Sequence, residues 1–144
     1  MSLKAGHRIA VDFGEKWFGL AISDPSGLVA SPVGTFEIHN LIPKIREISK
    51  DAEISVIYVG LPLHLSGNEG SSSHAAREVA RSLRDLEIAP VRLVDERLST
   101  KSAAEDRSMV NRYGIDAVAA AEILRFALDG ERIQGRVFGR EIDD

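Results

Sequence analysis

At 144 residues and 15.7 kDa, with 44% apolar and 28% charged residues, the chain has the make-up of one globular domain able to bury roughly 70% of its unfolded surface. The absence of cysteine excludes disulfides, thiolate zinc sites and cysteine nucleophiles, and suits a reducing, cytoplasmic setting. Eighteen basic against 22 acidic residues leave a net charge of -4, so any contact with nucleic acid has to be local rather than driven by bulk charge. Met1 to His7 lacks the apolar core of a secretory signal, and no apolar run approaches the roughly 18 residues of a membrane span.

The chain opens with two stretches of β-formers, His7 to Val11 and Trp17 to Ile22, joined through Gly14-Glu15-Lys16, which predicts a hairpin. A turn at Ser23 to Gly27 leads to a third strand within Val29 to Ile38. Leu41, Ile42, Ile45 and Ile48 then recur at helical spacing, with Asn40 as N-cap and Pro43 in the first turn. Ile54 to Gly60 is nearly all apolar, as expected of a central parallel strand covered on both faces. A Gly- and Ser-rich loop from Leu61 to Ser73 precedes a helix striped by Ala76, Val79, Ala80, Leu83 and Leu86, and Pro90 admits a strand from Val91 to Asp95. Ser99 and Thr100, or Ser102 with Glu105, can cap the next helix, and a last helix runs from about Asp116 to Leu128 and stops near Gly130. The order predicts an α/β fold: a single domain over 1–144 with a core from about 7 to 130, a five-stranded mixed sheet made of a meander followed by βα units, helices on both faces, and a loose tail.

Three acids stand where strands end or a helix begins. Asp12 closes the first strand, Glu96 follows the strand ending at Asp95, and Asp116 opens the last helix. Alternation puts Asp95 and Glu96 on opposite faces, so only one can join Asp12; Glu96 is chosen here, with Asp95 as the alternative. Asp116 would also be stable simply as a first-turn acid. If all three meet, carboxylates about 4 Å apart repel by roughly 4 kcal/mol at an effective dielectric near 20, which calls for a positive partner. Mg²⁺ or Mn²⁺, one ion or two, is the natural choice for oxygen ligands, and such sites serve phosphodiester chemistry.

Gly14 with Lys16 in the first turn, and Arg97 with Thr100 after Glu96, are the candidate phosphate contacts. Arg107 and Arg112 are as readily a solvated face, because Glu105 and Asp106 interrupt the basic run. The four histidines have no metal-ligand spacing, and no G-x-S-x-G elbow supports serine catalysis. Asp12-Phe13-Gly14 matches a kinase magnesium motif, but the chain is too short for a kinase and lacks its Gly-rich loop. Trp17 could stack on a base or pack the hairpin.

Taken together, Val11 to Gly14, Gly19 to Pro25, Val59 to Leu63 with Gly67 to Gly70, Asp95 to Thr100 and Asp116 to Ala120 resemble the YqgF-type family, whose members are described as pre-16S rRNA nucleases or Holliday-junction-resolvase-like proteins. The likeness runs from about His7 to Leu128. It implies a ribonuclease-H-like fold in which the acidic set corresponds to Asp12, Glu96 and Asp116. The chain departs from the family's pattern at Trp17, where a basic residue is common, and before Asp116, where only Arg112 remains of a denser basic run.

The expected function is a metal-dependent nuclease trimming the 5′ end of precursor 16S rRNA in ribosome biogenesis, with Asp12, Glu96 and Asp116 holding the ions. A resolvase for branched DNA, acting as a homodimer where the trimming enzyme could be a monomer, and a non-catalytic module binding nucleic acid or ribosome-assembly intermediates are the alternatives.

Overall fold

The computed structural model describes residues 3–14, 16–64, 66–98 and 107–142. Five strands form one sheet in the order β3-β2-β1-β4-β5, comprising β1 (His7–Phe13), β2 (Phe18–Ser23), β3 (Ala30–Phe36), β4 (Ile54–Leu61) and β5 (Val91–Asp95). β1, β2 and β3 pair antiparallel, as the short turn-rich links between them require, whereas β1, β4 and β5 run parallel and are joined by helical crossovers. The mixed sheet, the meander and the helix on each face agree with the expectation from sequence.

Strand alternation sorts the core into two layers. Ile9 and Val11, Ile57 and Val59, and Val91 and Leu93 face α1 (Ile38–Asp51) and α2 (Ser71–Asp85), which contribute Leu41, Ile45, Ala76, Ala80 and Leu83. Ala10, Ala21, Val56, Tyr58 and Val94 face the opposite way, beneath Ala120, Ala121, Ile123, Leu124, Ala127 and Leu128 of the long helix near the C-terminus. That helix, α4 (Ile115–Gln134), follows the short α3 (Arg107–Tyr113). Its alanines let the helix axis come close to the small side chains Ala10 and Ala21, and this closeness is what later carries Asp116 to the sheet.

Several boundaries differ from the sequence reading. α1 begins at Ile38 rather than after Asn40, because the Glu37 carbonyl already accepts from the Asn40 and Leu41 amides at 2.9 and 3.0 Å; Pro43 therefore lies beyond the first turn. α2 begins at Ser71, its start held by Ser73, whose hydroxyl donates to the Pro62 carbonyl and accepts from the Gly70 amide. α4 does not stop at Gly130. A Cβ there would lie 2.1 Å from the Phe138 ring, so this glycine makes room for the returning tail, and the helix ends instead at Gly135 in the left-handed conformation (φ 71°).

The tail itself is not loose. Leu93 and Arg140 exchange backbone hydrogen bonds of 2.8 and 3.0 Å along the outer edge of β5, while Val137 and Ile142 are buried and the Arg92 guanidinium donates to the Phe138 carbonyl. An otherwise open strand edge is thereby covered. The residues proposed to cap the helix after β5, Ser99, Thr100, Ser102 and Glu105, lie outside the described residues.

At the edge of the sheet opposite the strand C-termini, Arg8 and Glu131 form a buried ion pair of 2.9 Å. Tyr58 donates its hydroxyl proton to the same carboxylate at 2.5 Å, and Arg8 also donates to the Gly6 and Pro25 carbonyls. Every strong hydrogen-bonding group of the pair is thus used, which is what makes a charge tolerable at this depth.

Candidate active site

β1, β4 and β5 are parallel, so their C-terminal ends share one edge of the sheet, and Asp12 and Glu96 lie at that edge. Asp12 shares the parity of Ala10 and Glu96 that of Val94, so both side chains begin on the face covered by α4; Asp95 has the parity of Leu93 and begins on the other. On this geometry it is Glu96, rather than Asp95, that shares the face of Asp12. Asp95 is occupied elsewhere, in an ion pair of 2.7 Å with Arg97.

Glu96 opens a 3₁₀ turn (Glu96–Leu98) beyond β5, two strands away from Asp12, a backbone separation of roughly 10 Å. The residue between them on this face is Gly60 of β4. A Cβ at Gly60 would sit 3.7 Å from Asp12 Oδ1, so its absence leaves open the space over which the two carboxyls reach one another and share a hydrogen bond.

A second glycine brings in the third acid. Gly19 pairs with Asp12 in the hairpin, and a Cβ on it would fall 1.8 Å from the Asp116 carbonyl oxygen. Only a glycine allows the first turn of α4 to rest on β2 beside Asp12. Across the turn, a Cβ on Gly14 would lie 3.2 and 3.3 Å from the two carboxylate oxygens of Asp116. Gly60 and Gly19 are the residues that sequence reasoning did not assign to the site, although a glycine inside an apolar strand is itself a signal of close approach.

The electrostatics follow from this crowding. Burial, then the negative charges of Glu96 and Asp116, push the Asp12 carboxyl from the ordinary 3.8 up to about 8. Glu96 is raised mainly by burial, and Asp116 by burial alone. The hydrogen bond between Asp12 and Glu96 raises the first and lowers the second. Asp12 Oδ1 is buried and has no hydrogen-bond partner. Among the described residues, no three His, Asp or Glu side chains are arranged as a ready-made metal cage; the acids are coupled through charge without closing round one point.

Of the candidate phosphate contacts, Lys16 is exposed in the hairpin turn, beside Gly14. Arg97 is exposed, tied to Asp95, and donates to the His64 carbonyl, at the rim of a groove of about 300 Å³ that Gly67 and Arg140 also line. Thr100 lies outside the described residues. Arg112 lies over the Tyr113 ring at 5.2 Å.

Three acids at the C-terminal edge of a mixed five-stranded sheet with antiparallel β1 to β3 and parallel β4 and β5 define a ribonuclease-H-like domain. In keeping with this, the structure superposes on the Thermus thermophilus RuvC chain solved with a Holliday junction substrate, with a TM-score of 0.57 over 91% of this chain and 97% of that one, at 13% identity. Residues 6–130 match the sequence model of the RuvX family, described as Holliday junction resolvase, and the chain belongs to that family. Its relatives include a Clavibacter michiganensis protein, 43% identical over 92% of this chain and 89% of its own, and a Nocardioides protein, 38% identical over 99% of each; both are named "Putative pre-16S rRNA nuclease". The family is one of nucleases, hydrolases of phosphodiester bonds.

Proposed function

We propose that the protein is a cytoplasmic, divalent-metal-dependent nuclease that processes precursor 16S rRNA, with Asp12, Glu96 and Asp116 holding Mg²⁺ or Mn²⁺. The observation that carries the reading is the buried Asp12 Oδ1 without a hydrogen-bond donor, beside two further carboxyls whose negative charge opposes its ionisation. An all-oxygen set of this kind fits a hard cation and offers nothing to a soft one. A bound ion of this type neutralises phosphate charge and makes water a stronger nucleophile at neutral pH. Asp12, in a strand, would supply one ligand, and Glu96 and Asp116, on a turn and at a helix start, would supply the others.

In this reading Lys16 would take a phosphate on the hairpin side and Arg97 one on the β5 side, with Thr100 as a further candidate from the sequence. The backbone of an RNA strand crossing the sheet edge would thus meet a cation on each flank while the scissile phosphate faces the acids. The names carried by the relatives support precursor rRNA as the substrate. The description of the family supports a second reading, a resolvase for branched DNA, which requires two copies of the chain to cut paired strands.

Incubation of the purified protein with precursor 16S rRNA and Mn²⁺, beside Asp12→Asn, tests the proposal. The wild type is expected to shorten the 5′ end and the variant to leave it intact. Equal cleavage by both proteins, or by neither, overturns the mechanism.

A further inference from the structure

Trp17 is the single tryptophan of the chain, and it is 42% exposed. Among the described residues, no ring contact involves it. The aromatic contact inside the hairpin is made by Phe13 and Phe18, whose rings meet edge to face at 5.3 Å. Phe18 belongs to the core layer under α1 and α2, so the position before it begins on the opposite face, the one bearing Asp12, Gly19 and Asp116. There the first turn of α4 covers Gly19, two residues along the chain from Trp17.

The backbone geometry puts Trp17 next to the acidic residues. The Gly14 amide donates to the Trp17 carbonyl at 3.1 Å, and Gly14 is the residue whose Cβ position would touch both that carbonyl and the Asp116 carboxylate. Exposed Lys16 precedes the ring, and exposed Ile115 (51%) precedes Asp116. A flat apolar ring, a neighbouring ammonium and a phosphodiester-cleaving centre within one turn have the make-up of a platform for an unpaired base with its phosphate.

We propose that Trp17 stacks on an unpaired base next to the scissile phosphate, and that the substrate is therefore held as a single strand on the hairpin side of the cleft. This rests on the nucleic-acid substrate proposed above. A base in a duplex has both faces covered and could not be received without unpairing, so the ring selects against fully paired substrate.

The test uses the full-length protein without added divalent metal, so that cleavage plays no part. Because Trp17 is the only indole, its fluorescence reports on the proposed contact alone. A short single-stranded oligouridylate is expected to quench it, and a blunt duplex of matched length to leave it nearly unchanged. Trp17→Ala should weaken binding of the fluorescein-labelled single strand, read by anisotropy, roughly 5- to 100-fold, the range for loss of one stacked base, while Trp17→Phe keeps most of the affinity. Oligonucleotide binding without quenching, equal quenching by the duplex, or unchanged affinity in Trp17→Ala overturns the proposal. Quenching in a protein that never cleaves precursor rRNA would remove the nuclease reading and leave the stacking contact standing; cleavage without quenching would do the reverse.

Discussion

Replacing the ionisable carboxyl at the centre of the acidic cleft should stabilise the metal-free protein relative to the wild type, by an amount that grows with pH. The Asp12 carboxyl titrates near 8 in the folded chain and near 3.8 in an unfolded one. Between these values the folded state keeps a proton that the unfolded state gives up. Stability is therefore fully present below about pH 4 and declines as pH rises, by about 1.4 kcal/mol per pH unit, until the folded carboxyl itself ionises. From pH 5 to pH 7 the loss is about 3 kcal/mol, which for a domain of this size corresponds to roughly 8 °C in Tm. Asp12→Asn lacks this titration, whereas Glu96 and Asp116 titrate in both proteins. Melting curves recorded in EDTA at pH 5, 6 and 7 should show the variant gaining on the wild type by about that amount, and Mg²⁺ at pH 7 should narrow the gap by stabilising the wild type alone. Parallel pH profiles for the two proteins would refute the reasoning, since Asp12 would then be an ordinary ionised carboxylate.

Gly19→Ala places a methyl group where the Asp116 carbonyl now lies, so α4 must lift from β2; the expected result is a destabilisation of about 1–3 kcal/mol in denaturant melts, together with loss of rRNA cleavage. Glu131→Ala leaves Arg8 buried without its counter-charge and should cost about 3–5 kcal/mol, whereas truncating the exposed Ile133 should change stability by less than about 0.5 kcal/mol in the same assay. Gly130→Ala drives a methyl group into the Phe138 ring and should detach the tail, seen as faster hydrogen exchange at the Leu93 and Arg140 amides; unchanged protection would mean that the tail does not depend on this contact.

What the sequence disclosed, and what it hid, divides along the range of the interactions involved. The five strands and the faces of α1, α2 and α4 were legible because burial imposes a period of two or of 3.6 on neighbouring residues. The preference for Glu96 over Asp95 is a parity argument of the same local kind. Gly60 and Gly19 were not read as parts of the site. Their meaning lies in which neighbour approaches across the sheet, Asp12 in one case and the first turn of α4 in the other.

The same applies to Gly130, which reads locally as a helix stop and is instead the floor under Phe138, and to Glu131, whose partner Arg8 lies 123 residues away. The tail was expected to be loose because it carries little periodic apolar pattern. Its order comes from backbone pairing with β5, which leaves no trace in composition. Asn40 has the side chain of a good N-cap, but the Glu37 carbonyl captures the first-turn amides three residues earlier.

The central claim is that Asp12, Glu96 and Asp116 act together on one class of cation. Titration of Mn²⁺ into the protein, followed by electron paramagnetic resonance of the free ion, tests it without reference to any substrate. Asp12→Asn, Glu96→Gln and Asp116→Asn are each expected to weaken the same binding step by at least about tenfold, the effect of about 1.4 kcal/mol. Binding that survives unchanged in any two of the three variants would contradict it.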